Sequence, residues 1–142
     1  MAGKKRRARF RGRLLGAMEK RDLINADGVD PQVLRSYGQL YFEAGRFSDA
    51  VDFFLRAEDE DGLTALKAHA IEAADGFLLH RIERSSSLGV SPDDWEALAN
   101  SAERLGKTSV AEIARSRAAE PAAPQPEPEA EPIQPSKGKR EG

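Results

Sequence analysis

The chain has 142 residues, with 22 Lys/Arg against 24 Asp/Glu and a formal net charge of -2 at neutral pH. That length suits one small domain with tails, and the lack of any cysteine excludes disulfides, thiolate metal sites and a cysteine nucleophile. No apolar run approaches the roughly 20 residues that span a bilayer, and the apolar stretch behind the basic start is too short for a secretory signal, so a cytoplasmic protein is expected.

The charge is unevenly placed. Residues 1–29 carry nine Lys/Arg against three Asp/Glu, residues 30–118 carry ten against sixteen, and residues 119–142 carry three against five. A basic arm therefore leads a mildly acidic body and a polar tail. Residues 1–8 are basic and almost free of apolar groups, and are expected to be disordered. Phe10, Leu14, Leu15, Met18 and Leu23 then recur at roughly helical spacing among charges. That predicts a basic amphipathic helix from Arg9 to Ile24, closed by a turn at Gly28, so that 9–28 forms one unit.

Asp30-Pro31 is a good helix start, because Asp caps free N–H groups and Pro loses nothing at the first helical position. Leu34, Tyr37, Leu40, Tyr41 and Ala44 mark one apolar face, which Gly45-Arg46 breaks. Phe47, Ala50, Val51, Phe54 and Ala57 mark the next. Asp61 is the expected cap of a helix carrying Leu63, Leu66, Ala70 and Ile71. After Asp75-Gly76 comes a short helix with Phe77, Leu78 and Ile82, running into a serine loop. Ser91-Pro92 repeats the cap-then-proline start, followed by Trp95, Leu98, Ala99, Ala102 and Leu105. Ser109 and Glu112 have capping-box spacing, and Val110, Ile113 and Ala114 give the last helix its face. Nothing alternates with period two, so no strand is predicted. Six of the eight prolines lie in 120–142, a segment that cannot bury a core and is expected to be disordered.

A repeat emerges from this pass. Leu34, Gly38, Tyr41, Gly45, Phe47, Ala50, Phe54 and Ala57 resemble the tetratricopeptide repeat signature in type and offset. Trp95, Leu98, Ala99, Ala102, Gly106, Ala111 and Ala118 fall 61 residues after the corresponding slots, with Thr108 and Arg115 standing where aromatics belong. Two full 34-residue units would separate the copies by more than that, so the middle unit, about Ala65 to Ser91, is seven residues short. Seven residues is close to two helical turns at roughly 3.6 per turn, which would keep its faces in phase.

The resemblance implies an all-α fold over 29–119, a short helical-repeat solenoid of about three helix hairpins. Two antiparallel helices need small residues where they cross, which Gly38, Ala50, Ala99 and Ala111 supply. In that family the first helix of each pair lines a concave groove that holds an extended protein segment. The matching positions here are Gln32, Arg35, Gln39, Phe42 and Glu43, then Asp93, Glu96, Asn100, Glu103 and Arg104. Some members clamp a terminal carboxylate; Arg35 and Gln39 fill two of those slots, but Asp93 and Ala97 occupy slots expected to be basic. The implied function is that of a non-enzymatic adaptor. No cofactor or metal is expected.

The repeat also answers a question posed by Gly106-Lys107-Thr108. A phosphate loop needs glycine five residues before the Gly-Lys pair, where Ser101 stands, and a preceding strand. Trp95 to Leu105 reads as helix instead, and Gly106 matches the inter-helix turn at Gly45. The acidic run around Asp59 and Asp61 lacks the last ligand of a calcium loop, since Ala68 stands there. His69 and His80, the only histidines, have no evident third zinc ligand. Ser85 follows Arg81 and Arg84, a short basic–serine pattern better read as a helix end entering a serine loop.

The arm offers the alternative function. Lys4, Lys5, Arg6, Arg7, Arg9, Arg11 and Arg13 place seven cations in ten positions with no acid. Such a run attracts RNA, DNA or an anionic membrane. It also suits a solubilising tail beside a cap helix whose Phe10, Leu14, Leu15 and Met18 cover the open end of the first repeat. Both hold at once if the apolar side chains face inward and the arginines outward.

Overall fold

A computed structural model describes residues 8–120, which hold seven α-helices and, among the described residues, no strand. They are α1 (Ala17–Asn25), α2 (Pro31–Glu43), α3 (Phe47–Ala57), α4 (Glu60–Ala73), α5 (Gly76–Ser85), α6 (Pro92–Arg104) and α7 (Thr108–Ala119). None is long and apolar enough to cross a membrane. The disorder expected before Ala8 and after Glu120, and the cations Lys4, Lys5, Arg6 and Arg7, lie outside the described residues.

The helix starts follow from their caps. Asp30 accepts from the Gln32 N–H at 2.9 Å with Pro31 behind it. Asp75 accepts from the Leu78 N–H at 3.1 Å. Ser91 and Asp94 form a reciprocal box, at 3.1 Å from the Asp94 N–H to Ser91 Oγ and 2.9 Å from the Ser91 N–H to Asp94 Oδ2. Two starts differ from the sequence reading. Asp59, not Asp61, caps α4, accepting from the Gly62 N–H at 3.1 Å. Only Glu58 and Asp59 separate α3 from α4, so Asp61 already lies in the first turn. Helix α7 begins at Thr108 with no side-chain cap, and the Ser109–Glu112 box does not form.

Four helix ends share one device. Gly45 and Gly106 take φ of 77° and 75°, and Glu58 and Ala74 take 55°. In each case the next N–H reaches back to a carbonyl five residues earlier: Arg46 to Tyr41 at 2.8 Å, Asp59 to Phe54 at 2.9 Å, Asp75 to Ala70 at 2.8 Å and Lys107 to Ala102 at 2.8 Å. This left-handed C-terminal turn satisfies carbonyls that the helix leaves free. Ala74 lies 29 residues after Gly45 and Gly106 lies 32 after Ala74. Both intervals are shorter than the 34 residues that the resemblance implies.

Helix α2 pairs with α3, α4 with α5 and α6 with α7, and α4 also packs on α2 and α6. The core is densest at the first pair. Phe53, absent from the expected face, stacks on Tyr37 and Tyr41 at ring-centre distances of 5.5 and 5.3 Å. Phe54 is wedged between two glycines: a Cβ on Gly38 would stand 2.4 Å from its ring, and one on Gly62 2.5 Å. Gly62 is therefore a packing residue inside α4, not the turn residue that its sequence setting suggests. Ion pairs tie the outer helices together. Lys20 of α1 bonds Asp49 at 2.8 Å and Asp52 at 2.5 Å, and Arg81 of α5 also pairs with Asp52. Arg56 donates to Ile24 O at 2.7 Å and Ala26 O at 2.9 Å, closing the end of α1.

Three residues expected on buried faces point outward: Phe77, Leu105 and Ile113 are 91%, 53% and 63% exposed. The registers of α5 and α7 turn Leu78, Leu79, Ile82, Ala111 and Ala114 inward in their place. The N-terminal segment differs most. The helix expected from Arg9 starts only at Ala17, and the chain before it is irregular, bent at Gly12 with φ of 73°.

Candidate functional site: an α2 cleft beneath a basic strap

Four of the expected groove residues, Gln32, Arg35, Gln39 and Glu43, come together on the exposed side of α2. They line a cleft of about 440 Å³ together with Phe10, the half-buried Leu40 and the buried Phe54 ring. Their polar ends bond only within the helix: Arg35 donates to Gln32 Oε1 at 3.1 Å and Gln39 to Glu43 Oε2 at 3.0 Å. Exposed one-turn bonds of this kind exchange readily with another partner, since surface pairs contribute at most about 1 kcal/mol. Phe42 is not part of the cleft. Its ring meets Phe47 at 5.6 Å and His69 at 6.1 Å, and His69 stacks on Phe47 at 4.0 Å, so these three fasten α2 and α3 to α4.

The α6 positions are arranged differently. Asp93, Glu96, Asn100, Glu103 and Arg104 are all exposed and do not share the α2 cleft. Arg115 of α7 lies along them, 2.7 Å from Glu103, 3.1 Å from Asn100 and 3.7 Å from Glu96. Arg104 turns to Ser101 Oγ at 3.3 Å. Of the ten positions implied by the resemblance, four line the cleft on α2, Phe42 packs against Phe47 and His69, and the five on α6 form a separate exposed stripe along which Arg115 lies.

Residues 8–16 form a strap over α2. The Arg11 N–H donates to the Tyr37 hydroxyl at 3.0 Å, and the Leu15 N–H donates to the Tyr41 hydroxyl at 2.8 Å. The hydroxyls donate in turn to Arg9 O at 3.4 Å and Leu15 O at 3.2 Å. Phe10 meets the Tyr37 ring edge-on at 4.8 Å. Arg9, Arg11 and Arg13 stay exposed, but of the apolar groups expected to cover the first pair only Leu15 is half-buried; Phe10, which meets Tyr37, is exposed, as are Leu14 and Met18, because the segment does not form the helix that would turn them inward. Beside the strap, a broad opening toward the α1–α2 turn is lined by Arg9, Arg11, Asp27 and Asp30. The strap anchors had one sequence signal: a buried tyrosine, unlike a phenylalanine, needs a partner for its hydroxyl.

Charge fixes both ends of this region. Glu19 is lowered to about 2 by its hydrogen bond from Arg13 and by the Gly16 N–H. Burial pushes Asp49 up, but Lys20 and Arg46 outweigh it and hold the carboxyl below its usual range. Burial likewise opposes the charge on Lys20, and bonds to Asp49 and Asp52 outweigh that, raising its pKa.

The remaining sequence motifs resolve into structural roles. Gly106-Lys107 is the α6–α7 turn, preceded by a helix, and Lys107 Nζ donates to Ala73 O at 3.0 Å at the end of α4. His80 stands 3.2 Å from Arg117, which also bonds Glu83 at 2.6 Å and lies over the Trp95 ring at 4.6 Å. No group of three potential metal ligands occurs among the described residues. Compared with family models, curated proteins and solved structures, the chain finds no match.

Proposed function

We propose that this chain is a non-enzymatic adaptor that holds a segment of another protein along the α2 cleft, in the manner of tetratricopeptide repeats. The observation that carries this reading is the cleft itself. It offers the half-buried Leu40 above the buried Phe54 ring, rimmed by side chains whose polar ends bond only to neighbours on their own helix. Such a surface suits an extended segment that sets one apolar side chain on Leu40 and makes polar contacts around it. The recurring left-handed turns, and the packing of Phe54 between Gly38 and Gly62, support the repeat resemblance. The test is pull-down with the full-length protein, with and without nuclease, beside an Arg35→Glu, Gln39→Ala variant. Nuclease-resistant capture that the double substitution removes supports the adaptor. Capture that ignores the substitution contradicts it.

A second reading, binding of nucleic-acid phosphates by the arm, is favoured by one observation: Arg9 and Arg11 of the strap are exposed, beside Arg13, which pairs with Glu19. Few groups there are placed to read base edges, so binding would be set by salt rather than sequence. If about five of the seven arm cations engage duplex DNA, log K falls against log salt with a slope near -4 to -5. Titrating labelled duplex at several salt concentrations tests it. Sequence-selective binding with a flat salt dependence contradicts it.

A further inference from the structure

We propose that residues 8–16, seated on Tyr37 and Tyr41, hold Phe10 in the lining of the α2 cleft, so that a partner segment engages fully only when the strap lifts. The proposal rests on the reading of that cleft as a peptide site. Phe10 belongs to the strap and at the same time borders the cleft of Gln32, Arg35, Gln39 and Glu43. A seated strap therefore contributes its own aromatic ring to the wall of the cleft.

The seat is fitted to this particular segment. Tyr37 and Tyr41 stand one helical turn apart, about 6 Å along α2. The two amides they hold, Arg11 and Leu15, are four residues apart and would lie about 13 Å apart in a fully extended chain. The bend at Gly12, with φ of 73°, takes up that excess. A residue with a side chain rarely adopts that conformation, so Gly12 sets the register in which both amides meet both hydroxyls. The fit selects one occupant: Phe10 to Leu15 of this chain, bound in cis or from a second copy.

The same contacts make the strap easy to lift. Phe10 and Leu14 are 40% and 38% exposed, and Leu15 is only half-buried. The main anchors are two tyrosine hydroxyls and the edge-on contact of Phe10 with Tyr37. Tyr37 and Tyr41 are also held from below by Phe53, so the seat keeps its shape when the strap leaves.

The test uses the full-length protein, a Phe10→Ala variant, a Tyr37→Phe, Tyr41→Phe variant and a fluorescent peptide of residues 8–16. A seat about nine-tenths filled in cis weakens a competing ligand about tenfold. The peptide should bind the Phe10→Ala protein about tenfold tighter than the wild type, and the Tyr→Phe substitutions in the Phe10→Ala background should remove that gain. In parallel, hydrogen exchange at the Arg11 and Leu15 amides should be slow in the wild type. It should become fast in Phe10→Ala and in the Tyr→Phe variant, whose rings keep the core packed. Equal peptide affinity for wild type and Phe10→Ala, or unprotected Arg11 and Leu15 amides in the wild type, overturns the proposal and leaves the cleft reading standing. A photo-crosslinker at Gln39 separates the two ideas. Partner adducts that increase in Phe10→Ala support gating, and adducts equal in both proteins overturn it. No protein adduct in either overturns the cleft reading, and gating with it.

Discussion

In the first helix pair, position 54 holds a phenylalanine pressed between Gly38 and Gly62; 61 residues later the same slot holds Arg115, which lies along Glu96, Asn100 and Glu103. The neighbouring slots change alike. Phe47 stacks on His69 of α4, whereas its counterpart Thr108 is exposed. The backbones differ little, with equivalent glycine turns at Gly45 and Gly106. What differs is the environment each pair faces. The α2–α3 pair has α4 against it, and an aromatic there is buried. No helix follows α7 among the described residues, and Thr108 and Arg115 place polar side chains there. The exchange also has a functional side. Arg115 lies across Glu96, Asn100 and Glu103 on α6, while among the described residues no side chain from another helix bonds Gln32, Arg35, Gln39 or Glu43 on α2.

The contrast predicts unequal costs of mutation. Phe54→Ala should destabilise by about 3–5 kcal/mol, since a fully buried ring is lost. Arg115→Ala should cost at most about 1 kcal/mol, since its partners are exposed acids. Urea denaturation of both variants checks the pair, and equal losses would break the comparison. Gly38→Ala sharpens it. Alanine favours helix by about 1 kcal/mol, yet its Cβ would collide with the Phe54 ring. A net loss of about 1–3 kcal/mol is expected from overpacking. A gain in stability would show that Phe54 can move aside.

Asp94 provides a test by pH. Burial pushes its carboxyl up, but the Ser91 N–H and Lys67, the latter at 3.0 Å, outweigh that and lower it. A depressed folded pKa stabilises above the unfolded value near 3.9, and the contribution is lost as pH falls through the folded pKa. Asp94→Asn should therefore cost up to about 1 kcal/mol at pH 7 and progressively less below about pH 4. Denaturant melts at both pH values read the difference, and a pH-independent cost would contradict the assignment. The same sign applies to Glu19, whose carboxyl should titrate near 2 by NMR, its bond with Arg13 weakening as pH falls from the unfolded value of about 4.3 through that range.

A smaller effect concerns the turn that Gly45 and Gly106 make without strain. Glu58 adopts it with a side chain, at φ of 55°. Glu58→Gly is expected to stabilise by about 0.5–1 kcal/mol, strain relief outweighing the added freedom of the unfolded chain. A measured loss would show that the Glu58 side chain has a role of its own.

These contrasts also show what the sequence made legible. Caps at Asp30, Asp75 and Ser91 act locally, so their residues revealed the starts of α2, α5 and α6. The glycine turns, and Gly38 as a small residue at a helix crossing, were legible through the resemblance; that the Phe54 ring fills the space at Gly38 was not. The strap was not. Its apolar residues have helical spacing, but its amides bond to tyrosines 26 residues away, and Gly12 bends the chain before a helix can form. Phe53 was missed because its burial depends on the stack with Tyr37 and Tyr41. Phe77 and Ile113 were misassigned because short helices admit two apolar registers, and only the neighbouring helices choose between them. Half of the groove was legible as positions, but that Arg115 fills the α6 stripe and Phe10 borders the α2 cleft depends on tertiary placement.

The central claim is that a partner segment lies on the α2 cleft and not on the α6 stripe. Its most direct test places a photo-crosslinking amino acid at Gln39 in one full-length protein and at Asn100 in another, each irradiated in lysate with nuclease. The account predicts protein adducts at Gln39 that Arg35→Glu abolishes, and few at Asn100, where Arg115 already lies. Adducts confined to Asn100, or adducts at Gln39 that ignore Arg35→Glu, would contradict it.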